Sequence, residues 1–172
     1  GGTAGAIAVC YMEFAGDGDA ATVVPWTVLR DAATAGSFAA RVLAAPRSFH
    51  GRTSISTGLR RALAELAAWD GGEGVRRVID VAGDGVNNSG EDVALARDAA
   101  VAAGVVINGL ATINNRPQWP WADIREYIPG GLPDYYRKEV TGGPGSFVLV
   151  VDDSATFDEA IRRKLLQEIA SK

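Results

Sequence analysis

The sequence predicts an α/β fold with a mostly parallel sheet and one antiparallel edge, and three observations predict it. Two apolar runs near the amino terminus, Ala6 to Phe14 and Ala21 to Leu29, are joined by the short turn-rich link Ala15-Gly16-Asp17-Gly18-Asp19, which reads as a hairpin. After that hairpin, strand-like and helix-like periods alternate, the pattern of a parallel sheet with helices on both faces. At the centre, Arg76-Arg77-Val78-Ile79-Asp80-Val81-Ala82-Gly83-Asp84-Gly85-Val86-Asn87-Asn88 joins a β-branched run to a Gly-Asp-Gly turn. This is the form of a buried parallel strand feeding a loop at its carboxyl end, where ligands bind in open α/β sheets.

Each element follows from its residues. Pro25 has no N–H to give to a ladder, so the second strand belongs at a sheet edge. Asp31 to Ala45 reads as a helix with Phe38, Val42 and Ala45 on one face, stopped by Pro46. The polar stretch from Arg47 to Ser54 ends in hydroxyl residues suited to cap the next helix, Ile55 to Trp69. There Ile55, Leu59, Ala62, Leu63 and Leu66 form the apolar stripe, and Asp70-Gly71-Gly72 ends it. A helix from Glu91 to Ala103 has acids in its first turn and Gly104 after its end. Val105 to Ile113 is a further strand, read as interrupted at Asn108-Gly109, and residues 114–133 form a Pro- and Trp-containing loop. A short helical segment from Asp134 to Val140, a turn, a strand from Phe147 to Val151 and a last helix capped by Thr156 and Glu159 complete the chain. No repeat or internal boundary divides it, so one domain over residues 1–172 is expected.

Composition limits the function. The 172 residues carry a net charge of −4, and the basic residues fall in pairs on amphipathic segments, which argues against nucleic-acid binding. No apolar run is long enough to span a membrane. Cys10 is the only cysteine, so the chain can form no internal disulfide or cysteine zinc site. His50 is the only histidine; a catalytic triad would have to pass through it, and beside Phe49 in a polar loop it reads as a surface residue.

Asp84 offers a hard oxygen ligand between two glycines, and two readings stand: a metal ligand or ordinary turn chemistry. Asp80, a carboxylate in mid-strand, either supports the Asp84 loop or is satisfied by a neighbouring Arg or N–H. Glu13 invites the same pair of readings.

The order of strand, hairpin strand, helix, Gly51-Arg52-Thr53-Ser54-Ile55 loop, amphipathic helix and Val81-Ala82-Gly83-Asp84-Gly85-Val86-Asn87-Asn88 resembles a von Willebrand factor A-type domain. Arg77 to Gly85, Gly142-Gly143-Pro144-Gly145-Ser146-Phe147 and Ala160-Ile161-Arg162-Arg163-Lys164-Leu165 are similar to one uncharacterised bacterial branch of that superfamily. The resemblance implies a Rossmann-like, three-layer fold and a metal-ion-dependent adhesion site. Such a site usually holds Mg²⁺ and captures an acidic group of a protein partner, without catalysis. Thr53 matches the family's hydroxyl ligand and Asp84 its third-loop acid, with Ser54, Asp80 and Asn87 behind them. The family's first strand, ending Asp-x-Ser-x-Ser, would precede residue 1, so a gap or a foreign strand is expected between the strands of Ile7 and Ile79, and weak metal binding or none by these residues alone. A secreted or periplasmic setting is likewise implied only by the resemblance.

Two internal stretches compete for attention. Asp152-Asp153-Ser154-Ala155-Thr156 has the Asp-x-Ser-x-Thr spacing, but helix capping by Ser154 and Thr156 is the favoured reading. The Gly83-Asp84-Gly85 loop is also similar to the metal loop of haloacid-dehalogenase-type, Mg-dependent phosphatases. That chemistry needs an Asp-x-Asp nucleophile, and the nearest match, Asp17-Gly18-Asp19, sits in a hairpin turn. Finally, Trp119 and Trp121 in the long loop are expected either to anchor a partner or to close over the core.

Overall fold

In the computed structural model, which describes residues 6–71, 75–113 and 130–151, the chain forms two compact units. The first comprises Gly1–Arg77 with Asn87–Asp92, the second Val78–Val86 with Val93–Lys172.

In the first unit, β1 (Ile7–Phe14) and β2 (Ala20–Leu29) pair antiparallel as a hairpin. Pro25 is accommodated by an irregularity: the partners step from Val9↔Thr27 to Tyr11↔Val24, so Pro25 and Trp26 sit in the extra length of β2 and owe no regular ladder bond. The helix α1 (Ala32–Ala44) starts on Asp31, whose carboxylate accepts from the Thr34 N–H at 2.8 Å while the Thr34 hydroxyl accepts from the Asp31 N–H at 3.1 Å. Its stripe of Phe38 and Val42 is half-buried and no residue of it is fully buried. The helix α2 (Ile55–Ala68) buries Ile55, Leu59 and Leu66, with Val24 the buried residue of β2. Gly58 is required there, because a Cβ would stand 2.9 Å from the Phe14 ring.

The second unit is a sheet in the order β3 (Arg77–Gly83), β4 (Val105–Thr112), β5 (Val148–Val151), with β4 and β5 parallel. The helix α3 (Val93–Ala102) packs Val93, Ala96 and Ala100 inward; Glu91 and Asp92 precede it, so the expected acids lie before its first turn. A short α4 (Gly131–Tyr135) runs into a π-helical turn, Tyr136–Val140, in which the Thr141 N–H reaches the Tyr136 carbonyl at 2.9 Å.

β1 and β3 lie in separate sheets among the described residues. The expected break at Asn108-Gly109 is corrected: β4 is continuous and buried through Ala111. Asn108 is fully buried because its amide is satisfied, donating to Asp80 Oδ1 at 3.2 Å and accepting from the Phe147 N–H at 3.3 Å. The helical segment expected from Asp134 begins at Gly131. Trp119, Trp121 and the helix expected from Thr156 lie outside the described residues.

Candidate functional site

The amino terminus of α2 explains the first half of the site. A helix leaves its first N–H groups without intrahelical partners. Here Ser54 Oγ accepts from the Thr57 N–H at 3.2 Å, and Asn87 Oδ1 accepts from the Ser56 N–H at 3.1 Å. Asn87 Oδ1 also takes the Ser56 hydroxyl at 3.3 Å, and the Ser54 hydroxyl donates to Thr57 Oγ1 at 2.9 Å. Ser54 and Ser56 are 0% and 1% exposed. Unpaired, each such group would cost about 1–3 kcal/mol, so this hydroxyl-rich turn depends on the asparagines.

Asn88 grips the residue before the cap from both sides. Its Oδ1 accepts from the Thr53 N–H and its own N–H donates to the Thr53 carbonyl, both at 2.9 Å. The Thr53 hydroxyl takes no hydrogen bond among the described residues. The hairpin turn joins the same clasp. Asp17 Oδ1 accepts from the Thr57 hydroxyl at 3.1 Å, and the Asp17 N–H donates to Ser89 Oγ at 3.1 Å. The Asp-x-Asp spacing at 17–19 is thus engaged as loop structure. Gly90, at φ 78°, closes the assembly: a Cβ there would stand 2.6 Å from Ser54 Oγ and 3.0 Å from Asp17 Oδ1.

Beside the clasp, Asp17, Thr57, Arg60, Arg61 and Glu91 line an open cleft of about 550 Å³. Both guanidinium groups in it are occupied. Arg60 binds Glu91 through two contacts of 2.6 and 3.1 Å, which lowers the Glu91 carboxyl below its ordinary range, and Arg61 binds Glu65 at 2.7 Å. Among the described residues the cleft therefore presents no unpaired guanidinium to an anionic ligand.

The Asp84 loop has a different construction. Gly83 ends β3, and Asp84 beyond it is exposed. Within the same unit, Tyr136 is fully buried, and its hydroxyl is directed at Gly83, where a Cβ would lie 2.7 Å from it. That hydroxyl has no hydrogen-bond partner among the described residues. Burial first, and then the negative charge of Asp84, push the phenol's pKa well up.

The remaining candidates resolve as follows. Asp80, read as supporting the Asp84 loop or as satisfied by a neighbouring Arg or N–H, lies on the exposed side of β3 and accepts from the Asn108 amide. The Glu13 carboxylate accepts from the Ser48 N–H at 2.7 Å. His50 is exposed, as its loop position suggested. Ser54 and Asn87 are structural supports of the Thr53 turn. Sequence reasoning passed over Asn88, Ser89 and Tyr136. The Asn-Asn pair after Gly-Asp-Gly was the available signal for the first; a tyrosine in a short helical segment carries none.

The fold formed by these elements is of the von Willebrand factor A type. The chain is similar to the conserved hypothetical protein BatB from Bacteroides thetaiotaomicron, with 22% identity and a TM-score of 0.59 over 95% of this chain and 80% of BatB. It is similar in the same way to the SpRpn10 VWA domain, with 11% identity and a TM-score of 0.59 over 91% of this chain and 71% of that one. A third likeness is to an aerotolerance-related membrane protein from Bacteroides fragilis, with 23% identity and a TM-score of 0.59 over 93% and 79%. No curated protein matches the sequence. The chain belongs to the family described as a protein of unknown function, DUF1194, whose model matches residues 1–172. No helix among the described residues is long and apolar enough to cross a membrane.

Proposed function

We propose that this chain is a non-catalytic protein-binding module of the adhesion type that captures an exposed carboxylate of a protein partner through Mg²⁺, with Thr53 and Asp84 as the candidate oxygen ligands. One observation carries the reading. Asn88 fixes the Thr53 backbone on both sides while the Thr53 hydroxyl is left without a hydrogen bond among the described residues. The clasp holds in place a donor that the fold itself does not use. Asp84 adds an exposed carboxylate between two glycines.

The donor chemistry suits a hard cation, since both groups offer oxygen. The number of protein ligands is small: no cluster of three or more His, Cys, Asp or Glu occurs among the described residues. Mg²⁺ takes about six oxygens, so water and the partner's carboxylate complete the set. A site poor in its own acids is one that gains most from an acid brought by the partner. The von Willebrand factor A fold supports the same reading.

Calorimetric titration of Mg²⁺ into the wild type, Thr53→Ala and Asp84→Asn tests it. Each substitution is expected to weaken binding at least roughly 10-fold and to leave thermal stability unchanged, because neither side chain supports the fold. Wild-type chain that takes up no Mg²⁺, or variants that bind as the wild type does, would overturn the proposal.

A further inference from the structure

Tyr136 carries an oxygen that packing does not explain. Its ring is 0% exposed and its hydroxyl has no hydrogen-bond partner among the described residues. Buried hydroxyls are seldom left so. A phenylalanine would fill the same space without that penalty.

The placement of the hydroxyl is specific. A Cβ on Gly83 would stand 2.7 Å from it, so the lack of a side chain at 83 is what admits the oxygen beneath the residue that precedes Asp84. Gly83 is not held at a positive φ, so this close approach, and not backbone conformation, is the reason for glycine there. The ring is presented by a π-helical turn, a geometry that gathers at functional positions. Asp84 is near enough for its charge to act on the phenol, and a phenol hydroxyl is a donor at neutral pH.

We propose that Tyr136 is a positioning residue for Asp84: its hydroxyl is the donor to which the Asp84 carboxylate oxygen not engaged by a cation turns when the site is loaded. The inference rests on the reading of Asp84 as a cation ligand. Ligating carboxylates are themselves hydrogen-bonded, and such partners orient them. In the cation-free protein Asp84 faces water and the hydroxyl stays unpaired. Loading gives both groups a partner at once.

The test uses the full chain and Mg²⁺ alone, comparing wild type, Tyr136→Phe and Asp84→Asn by calorimetry, by metal-free thermal melts and by the tyrosine absorption difference on adding Mg²⁺. Tyr136→Phe should weaken Mg²⁺ binding by roughly 10-fold, leave the metal-free melting temperature unchanged or higher, and abolish the difference spectrum. Tyr136→Phe binding Mg²⁺ as tightly as wild type, while Asp84→Asn does not, removes the role of Tyr136 and leaves that of Asp84. A fall of several degrees in metal-free melting with unchanged affinity also overturns the inference, since the hydroxyl would already be paired. Wild type without Mg²⁺ uptake overturns the Asp84 reading and this one with it.

Discussion

The turn around Thr53 is saturated with hydrogen bonds, whereas the loop around Asp84 is left open. At Thr53, hydroxyls, amides and helix N–H groups satisfy one another through Ser54, Ser56, Thr57, Asn87 and Asn88. At Asp84 the carboxylate is exposed, glycines flank it, and a buried polar group beside Gly83, the Tyr136 hydroxyl, has no hydrogen-bond partner among the described residues. The difference separates two ways of presenting a ligand oxygen. One fixes the backbone and leaves the side chain free; the other leaves the loop sparse and keeps a donor in reserve.

The contrast can be broken most severely at Gly90. Gly90→Ala forces a Cβ to within 2.6 Å of Ser54 Oγ at a φ of 78°, and should cost about 2–4 kcal/mol by summing left-handed strain and overpacking. Urea unfolding measures this, and a loss below about 1 kcal/mol would mean that the clasp is loose. Asn87→Ala comes next. It strips the Ser56 N–H of its acceptor, for an expected loss of about 1–3 kcal/mol, against a change within about 0.5 kcal/mol for Asp84→Asn. Equal losses in the two variants would erase the distinction between the regions.

The smallest effect is at Glu91. Its pKa is lowered from 4.5 in the folded protein, chiefly by the hydrogen bond from Arg60. A carboxyl with a depressed folded pKa stabilises above its unfolded pKa and loses that contribution as pH falls through the folded value. Both partners are exposed, so the gain is small. The melting temperatures of wild type and Glu91→Gln should therefore differ slightly near neutral pH and converge in acid; a difference that persists in acid would assign the effect to something other than the ion pair.

What the sequence disclosed was whatever leaves a period. The stripes of α1 and α2, the strand feeding Gly83 and the alternation that makes the sheet are patterns of apolar residues at fixed spacing, and burial reproduces them, fully at Ile55, Leu59 and Leu66 of α2 and by half at α1. Thr53 and Asp84 were marked out by their similarity to family motifs. The clasp left no such trace. Asn87 meets Ser56 across 31 positions and Asn88 meets Thr53 across 35, distances at which the chain records no periodicity. Asn108-Gly109 misled for a related reason: local chemistry reads as a turn, while remote groups, Asp80 and the Phe147 N–H, satisfy the amide and keep the strand straight.

Tyr136 also constrains what substitutions the family can explore. A Cβ at 83 would meet its hydroxyl at 2.7 Å, and a Cβ at 109 would meet its ring at the same distance. Three positions separated widely in sequence are thus sterically coupled. While the tyrosine remains, a Cβ at 83 meets its hydroxyl and one at 109 meets its ring; a smaller residue at 136 would release 83, whereas a Cβ at 109 would still stand 3.1 Å from Thr141. Change at 83 is a matter of sequence order, with 136 moving first.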